Sequence, residues 1–308
     1  MRVMFAGTPA VAIPALDALH DSAHEVRGVL TRPPAPVGRK RTMTPSPIQA
    51  RAQELGLPVL TGAPSSEEVL GFFRTEGIEC VAVVAYGALI REPALSAVGR
   101  GWVNLHFSLL PAWRGAAPVQ HAIMAGEGET GVSTFQIEHG LDTGPVFHSR
   151  TEPIHPEDTA GDLLERLAGI GAGLLVRTLD DIDAGTADPT PQEGEVTLAP
   201  TLRSADGRIE WALPAEQVSA KIRGVTPAPG AWTRTRDGDR FKIGPVTILD
   251  GAPLPAGTLH AGGDRVVVGT GTRSVALERL APPGKPWMSA SDWARGLRTE
   301  TLEFEVAQ

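Results

Sequence analysis

The chain has 308 residues, of which 42% are hydrophobic and 21% are charged, an ordinary balance for a globular protein long enough to form two domains. Its formal net charge of −8 argues against a general nucleic-acid-binding protein. The sequence contains no run of about 18 apolar residues, so no membrane span is predicted. The strand-like run that begins at Met1 is too short for a signal peptide, and we therefore expect a cytoplasmic protein.

The first half of the chain alternates strand and helix patterns. Short apolar runs predict strands at Arg2–Ala6, Glu25–Leu30, Val59–Leu60, Cys80–Val84 and Trp102–Leu105. Apolar residues at helical spacing predict helices at Val11–Leu19, Ile48–Leu55 and Glu67–Phe73. This alternation predicts an α/β domain with a mainly parallel sheet and helices on both faces. Ligands of such sheets bind beyond the carboxyl ends of the strands.

Residues 31–47 interrupt this pattern. The segment is rich in Pro, Arg and Thr, and we predict a long exposed loop without regular structure. It carries Arg32, Arg39, Lys40 and Arg41. Composition alone leaves two interpretations open, a solvated loop and a loop that contacts nucleic acid through its arginines.

The pattern changes after residue 130. Strands are predicted at Val132–Glu138 and Pro145–Thr151, with Asp142 in the loop between them, and a long helix is predicted at Leu163–Leu179. Residues 188–206 are predicted to be a linker between a domain of residues 1–187 and a domain of residues 207–308. The last domain has a predicted helix at Ala215–Ile222 and short strands between Gly and Pro turns, at Ala231–Arg236, Arg240–Ile243, Val266–Val268 and Ser274–Leu280. Such strands are typical of a small barrel.

The charge is unevenly distributed. Residues 1–203 hold 15 Lys and Arg against 24 Asp and Glu, whereas residues 204–308 hold 13 against 12. The second half is therefore relatively basic. A nucleic-acid partner needs only local positive surface, so this pattern is compatible with RNA binding without establishing it.

Three polar residues suit chemistry at a carbonyl group. Asn104 and His106 lie at the end of the strand that begins at Trp102, and Asp142 lies in the downstream loop. An amide can donate to a developing oxyanion, an imidazole can donate or relay a proton, and a carboxylate can orient the imidazole and fix its tautomer. None of the three is a good nucleophile, so we predict direct transfer between two bound substrates.

Other cofactor classes are disfavoured. Gly7-Thr8-Pro9 follows the first strand but lacks the G-x-G-x-x-G pattern, and Pro9 has no N–H for a phosphate, which argues against NAD and ATP. The histidines show no pair with zinc-ligand spacing, so no metal is expected. The single Cys80 is predicted to be a small buried hydrophobic residue.

The pattern N-x-H-x-S-L-L-P-x-x-R-G over residues 104–115, with Leu141-Asp142-Thr143-Gly144 downstream, resembles the folate-dependent formyltransferases. The resemblance runs from Met1 to about Trp293. It implies a Rossmann-like formyltransferase fold followed by an OB-like β-barrel. It also implies 10-formyltetrahydrofolate as the formyl donor, which is released as tetrahydrofolate. The residues it implies for folate binding are Ser108, Leu109, Leu110, Pro111, Val84, Tyr86 and Gly87, although core packing explains Val84 and Tyr86 equally well.

The fuller pattern is similar to the members of that family that act on initiator methionyl-tRNA. This similarity implies catalysis by Asn104, His106 and Asp142, tRNA contact by Arg39, Lys40 and Arg41, and a further tRNA contact by the C-terminal domain. Because two domains suffice for one tRNA, we expect a monomer. The alternative kept open is a formyltransferase acting on an amino-sugar nucleotide. A formyltetrahydrofolate hydrolase and an RNA-binding module on an inactive catalytic fold are disfavoured, by the second domain and by the intact trio respectively.

Overall fold

The computed structural model describes residues 1–38, 41–262, 265–297 and 299–306. The chain divides into two units. The first comprises Met1–Pro118, Glu129–Pro153 and Leu164–Ala199, and the second comprises Val119–Gly128, Ile154–Leu163 and the residues from Pro200 onward. Two short segments within residues 1–187 thus belong to the second unit, and the domain limits drawn from sequence stay a prediction.

A seven-stranded sheet organises the first unit, in the order β10-β9-β7-β6-β1-β2-β5. The neighbours from β5 to β7 are parallel, and β9 and β10 are added antiparallel to them. The strands of this sheet are β1 (Arg2–Gly7), β2 (Glu25–Leu30), β5 (Val59–Leu60), β6 (Cys80–Val84), β7 (Trp102–His106), β9 (Glu129–Gln136) and β10 (Val146–Pro153). The prediction of a mainly parallel sheet is confirmed.

The helices cover the faces of this sheet as their apolar spacing predicts. They are α1 (Ile13–His20), α2 (Pro47–Glu54), α3 (Glu67–Glu76) and α5 (Ala160–Ala184). A further helix, α4 (Pro118–Ala125), was not predicted from the sequence, and all of it except Pro118 belongs to the second unit. Helix α5 packs very closely on β7. Gly171 has no Cβ, and a Cβ there would lie only 2.7 Å from a methyl carbon of Leu105. On the other face, Trp102 packs in a core cluster with Phe73 and Tyr86. Strand β7 is therefore held from both sides.

Residues 31–47 are more regular than predicted. A short hairpin forms from β3 (Ala35–Val37) and β4 (Thr42–Thr44), and Pro47 already begins α2. The prediction of a segment without regular structure is wrong here, because strand pairing satisfies backbone groups that a Pro-rich composition does not reveal. The prediction that it is exposed holds for both strands. A further small sheet, absent from the sequence prediction, pairs β8 (Arg114–Gly115) with β11 (Leu198–Ala199).

The second unit is built on two antiparallel sheets that share one core around Trp211, Phe241 and Phe304. The chain passes from one sheet to the other three times, between residues 243 and 246, between residues 277 and 279 and between residues 289 and 301. One strand was predicted for Ser274–Leu280, but it is broken at Glu278. The strands are β12 (Trp232–Arg234), β13 (Arg240–Ile243), β14 (Val246–Ile248), β15 (Thr258–Gly262), β16 (Arg265–Gly269), β17 (Ser274–Leu277), β18 (Arg279–Ala281), β19 (Met288–Ser289) and β20 (Thr301–Glu303).

Helices α6 (Ala215–Gly224) and α7 (Ala290–Ala294) accompany these sheets. Ser289 is the N-cap of α7, and its hydroxyl accepts a hydrogen bond from the Asp292 backbone N–H at 3.0 Å. The predicted small β domain is confirmed. Within the described part of the chain, no helix is both long and apolar enough to cross a membrane.

Candidate active site

Strand β7 carries Asn104 and His106 to the carboxyl edge of the sheet. Asn104 lies between Val83 on β6 and Phe135 on β9. Because side chains alternate along a strand, Asn104 and His106 point to the same face as Trp102, at the end of its core cluster. The hydrophobic face thus ends in two polar groups, where the topology of such sheets predicts a ligand site.

The imidazole of His106 is buried, with 5% of the residue exposed. Its Nε2 lies 2.9 Å from the backbone carbonyl oxygen of Trp113. A carbonyl only accepts, so Nε2 carries the proton and donates it, and the neutral ring has its lone pair on Nδ1. Burial lowers the pKa of His106 below its usual value, and the Asp142 carboxylate and the Trp113 hydrogen bond oppose this only in part. His106 is therefore neutral at pH 7.

Trp113 holds its carbonyl in this position through an unusual backbone conformation. Its φ is +59°, in the left-handed region that residues other than glycine rarely adopt. Its N–H donates to the Thr197 hydroxyl at 2.8 Å. The hydrogen bond that sets the His106 tautomer therefore depends on a turn that is stabilised by a distant part of the chain.

Asp142 approaches the other nitrogen of the ring. Its Oδ2 lies 3.9 Å from His106 Nδ1, which is too far for a hydrogen bond but close enough for a strong charge interaction. The same oxygen accepts a hydrogen bond from the Gly115 N–H at 2.8 Å. Asp142 also has a left-handed backbone, with φ at +52°. In this structure Trp113, rather than Asp142, fixes the tautomer of His106, and Asp142 supplies the negative charge.

The amide of Asn104 is a free donor. It is half-buried, and its side chain has no hydrogen-bond partner among the residues that the structure describes. A half-buried amide without an internal partner is available to a ligand. Asn104 is also the only asparagine of the 308 residues. The catalytic trio predicted from sequence thus lies together at one edge of the sheet.

The turn after β7 is held by its own hydrogen bonds. The hydroxyl of Ser108 is fully buried and donates to the Ala112 carbonyl at 2.5 Å. The hydroxyl of Ser133 donates to the Ser108 carbonyl at 2.8 Å, and the Leu110 N–H donates to that same hydroxyl at 3.2 Å. Leu109 and Leu110 are half-buried, whereas Pro111 is buried. The turn is therefore rigid, and the apolar side chains of Leu109 and Leu110 remain partly accessible.

At the end of β6 and just beyond it, the chain presents backbone atoms rather than side chains to the candidate site. Val84 is fully buried, and Tyr86 is 3% exposed within the core cluster of Trp102. Gly87 is exposed with φ at +79°, and a Cβ there would meet nothing within 4 Å. The Thr8 hydroxyl donates to the Tyr86 carbonyl at 2.8 Å. Any ligand contact by Val84 and Tyr86 is consequently limited to their backbone atoms.

The predicted tRNA-contacting residues are only partly described. Arg39 and Lys40 lie outside the described residues. Arg41 is exposed, and its N–H donates to the Gly38 carbonyl at 3.1 Å. As for a metal, no group of three or more His, Cys, Asp and Glu side chains that could hold an ion occurs in the described ranges.

Comparison with known proteins identifies the family. The formyl transferase family matches residues 1–179, and the formyl transferase C-terminal domain matches residues 201–298. The methionyl-tRNA formyltransferase of Paenarthrobacter aurescens is 55% identical over 307 residues, which cover 99% of this chain and 100% of that protein. The methionyl-tRNA formyltransferase of Streptomyces griseus is 55% identical over 97% of each chain.

The chain belongs to the methionyl-tRNA formyltransferase family. The predictions of a formyltransferase and of its family are confirmed.

Solved structures show the same fold at lower identity. HypX from Aquifex aeolicus has a TM-score of 0.69 and 16% identity over 97% of this chain, which spans 48% of the HypX chain. An N-formyltransferase from Helicobacter canadensis, in complex with folinic acid and dTDP-3-aminofucose, has a TM-score of 0.67 and 17% identity over 89% of this chain and 98% of that one. The methionyl-tRNA formyltransferase from Clostridium thermocellum has a TM-score of 0.59 and 18% identity over 82% and 95%.

The sequence did not predict a role for three residues near the site of this formyltransferase: Trp113, Gln192 and Thr197. Trp113 contributes a backbone carbonyl, which no side-chain pattern signals. Gln192 and Thr197 lie in the predicted linker, whose Pro and Glu content indicated only a connection. The signal that could have indicated them is the presence of a glutamine and a threonine among the Pro, Gly and Glu residues of that segment.

Proposed function

We propose that this formyltransferase moves the formyl group of 10-formyltetrahydrofolate to the amino group of methionine on initiator methionyl-tRNA. The products are N-formylmethionyl-tRNA and tetrahydrofolate. The observation that carries the proposal is the 55% identity, from end to end, with proteins named methionyl-tRNA formyltransferase. The geometry of Asn104, His106 and Asp142 supports it, because the three groups suit acyl transfer without a covalent enzyme intermediate.

Asn104 acts on the donor carbonyl. The neutral methionyl amine attacks the formyl carbon, and the carbonyl oxygen becomes negatively charged. The free Asn104 amide donates a hydrogen bond to that oxygen, an interaction that strengthens as charge develops. A new C–N bond forms to the methionyl nitrogen, and the bond from the formyl carbon to N10 of the folate later breaks.

His106 moves the proton. Its Nε2–H is committed to Trp113, so Nδ1 accepts the proton that the attacking nitrogen must lose. The resulting imidazolium lies beside the Asp142 carboxylate, which stabilises its charge, and it adds to the stabilisation of the oxyanion. Nδ1 then returns the proton to N10 as this nitrogen leaves. The step conserves one proton and needs no further reactant.

The donor site is assigned to the carboxyl edge around β6 and β7. The Ser108, Leu109, Leu110 and Pro111 turn offers a rigid backbone and the half-buried side chains of Leu109 and Leu110. At the end of β6 and just beyond it, the backbone of Val84, Tyr86 and Gly87 offers peptide donors and acceptors. Gly87 leaves space for a ring to approach. A pterin, flat and rich in hydrogen-bonding edges, matches both surfaces.

The tRNA site is assigned to two basic regions. One is formed by Arg39, Lys40 and Arg41. The other is in the second unit, proposed as a tRNA-contacting domain of residues 207–308 that a linker of residues 188–206 joins to a catalytic domain of residues 1–187.

An aromatic ring with exposed arginines supports the second region. The guanidinium of Arg240 lies 4.1 Å from the ring centroid of Trp232, and those of Arg234 and Arg208 lie at 5.6 and 6.0 Å. Arginines beside a half-buried aromatic ring suit phosphates and unstacked bases. We propose that the protein works as a monomer in the cytoplasm, where its RNA substrate occurs.

One assay tests the proposal against its alternative. The purified protein is incubated with 10-formyltetrahydrofolate and either initiator methionyl-tRNA, an amino-sugar nucleotide or no acceptor, and the formylated product is measured. We expect product only with methionyl-tRNA. Formylation of the amino sugar would replace this function, and release of formate without an acceptor would indicate a hydrolase.

A further inference from the structure

We propose that the 190–199 segment positions the catalytic residues, with Gln192 holding the Asp142 loop and Thr197 holding the turn that binds His106. The inference rests on the proposed roles of Asp142 and His106 and goes beyond them. The side chain of Gln192 bonds to Arg114 and to backbone carbonyls of the Asp142 loop, and the hydroxyl of Thr197 bonds to the backbone of Trp113. Both act through other residues.

Gln192 ties together two parts of the site. Its Nε2 donates to the carbonyl oxygens of Asp142 and Gly144, each at 2.8 Å. Its Oε1 accepts two hydrogen bonds from Arg114, from Nε at 3.1 Å and from Nη2 at 2.7 Å. Both amide hydrogens and the amide oxygen are thereby used, so only one orientation of the side chain satisfies all four contacts.

These contacts stabilise a conformation that the loop does not favour by itself. Asp142 has a left-handed backbone, which costs free energy in a residue other than glycine. Gln192 bonds to the carbonyls on both sides of Thr143 and so fixes the peptide planes that set the direction of the Asp142 side chain. Without Gln192, we expect the carboxylate to lose its place opposite His106 Nδ1.

Thr197 acts on the other side of the imidazole. Its hydroxyl accepts from the Trp113 N–H, and the Trp113 carbonyl accepts from His106 Nε2. The Thr197 carbonyl also accepts from the Arg114 N–H at 3.0 Å. One short segment therefore controls the carbonyl that sets the tautomer of His106 and the loop that supplies its negative charge.

The segment is itself anchored at both ends. Thr190 exchanges two backbone hydrogen bonds with Val146 on β10, at 2.8 and 2.9 Å. Leu198 and Ala199 pair with Arg114 and Gly115. Gly115 packs so closely on Ala199 that a Cβ there would lie 2.6 Å from the Ala199 carbonyl oxygen. Gln192 and Thr197 thus project from a fixed backbone, as positioning residues must.

The first experiment removes the Gln192 hydrogen bonds with little change of volume. Gln192→Met is compared with Glu193→Gln, which alters an exposed neighbour on the same segment. We expect kcat for methionyl-tRNA formylation to fall about 10- to 100-fold in Gln192→Met, as for a misplaced catalytic group, with KM for 10-formyltetrahydrofolate nearly unchanged. Glu193→Gln should keep wild-type values. Equal kcat in both variants would overturn the role of Gln192.

The second experiment separates positioning from packing. Thr197→Val removes the hydroxyl and Thr197→Ser keeps it. With ring-¹⁵N-labelled histidine, the His106 signals (assigned by their loss in His106→Gln) report the tautomer and the titration without any turnover. In Thr197→Val we expect the midpoint of the His106 titration to move to lower pH, since the Trp113 hydrogen bond is weakened, and kcat to fall about 10-fold. Thr197→Ser should restore both, and an unchanged titration in Thr197→Val would overturn the proposal.

The formyltransferase activity and the positioning role of the 190–199 segment can be tested separately. If the wild-type protein formylates no methionyl-tRNA, the proposed function fails, whereas the ¹⁵N titration still reports whether Thr197 sets the state of His106. If the wild-type protein is active and the Met and Val variants match it in kcat and in titration, the positioning role fails and the function stands.

Discussion

The backbone carbonyl oxygen of Trp113 accepts a hydrogen bond from Nε2 of His106 at 2.9 Å, and this contact decides which nitrogen of the ring is free. Because Nε2 carries the proton, Nδ1 faces the Asp142 carboxylate with a lone pair. His106 is therefore suited to accept a proton first and to donate one afterwards. The Asp142 carboxylate stabilises the His106 ring only after the ring has accepted a proton and become positively charged.

Replacement of Asn104 by alanine should lower kcat about 10²- to 10³-fold, because one donor to the oxyanion is lost. Folate binding should change little, since the contact strengthens only when charge develops on the oxygen. Single-turnover kinetics with saturating methionyl-tRNA measure the effect. Near wild-type turnover would remove Asn104 from the catalytic group.

The same residue offers a direct probe. Because Asn104 is the only asparagine in the chain, labelling with ¹⁵N-asparagine should give one side-chain amide signal. That signal should shift when 5-formyltetrahydrofolate, a stable analogue of the donor, is added, and it should be absent from the Asn104→Ala protein.

Replacement of Asp142 by asparagine should keep the fold and strongly reduce activity. Asparagine tolerates the left-handed backbone and its oxygen can still accept from Gly115, so only the charge is lost. The Asp142 charge opposes the lowering of the His106 pKa, so its loss should lower that pKa further. The rising limb of kcat/KM against pH should then move to lower pH, with a lower plateau. If rate and profile are both unchanged, Asp142 is only a turn residue.

Burial of neutral His106 should make the folded state sensitive to acid. The pKa of His106 is lowered on folding, so the unfolded chain binds the proton more readily. Above about pH 6.5, the pKa of a histidine in the unfolded chain, this effect is absent. As the pH falls below that value, the free energy of unfolding decreases by up to about 1.4 kcal/mol per pH unit. Tm should fall less steeply with acid in His106→Gln than in the wild type between about pH 6.5 and 5. Parallel curves would contradict this assignment.

Replacement of Arg39 by alanine should weaken the use of methionyl-tRNA and leave folate binding unchanged. An arginine on an exposed segment gains binding energy from phosphate or base edges. The dependence of log Kd for tRNA on log salt should become shallower by about one if one phosphate contact is lost. Arg27→Ala, which removes the same charge at an exposed position near the start of β2, should leave the slope as it is. Equal slopes in both variants would assign the tRNA contact to the second unit alone.

Much of the catalytic unit was predictable from local sequence. Strand β6 spans Cys80–Val84 and all five residues are buried, which a continuous apolar run indicates directly. The position of Asn104 and His106 at a strand end followed from the same reasoning, and their spacing of two residues placed both side chains on one face. The antiparallel addition of β9 and β10 was beyond such reasoning, because it depends on pairing between distant segments.

The chemistry of the site was identified by residue type, but its arrangement was decided by tertiary structure. Sequence established that an amide, an imidazole and a carboxylate occur in a pattern typical of formyl transfer. Only the folded chain shows that Trp113 sets the tautomer of His106 and that Gln192 and Thr197, in a predicted linker, hold both partners of that ring. The reason is physical: hydrogen bonds between distant backbone groups and side chains leave no periodic pattern along the chain. Their energies depend on distances and angles that exist only once β7, the Asp142 loop and residues 190–199 have come together.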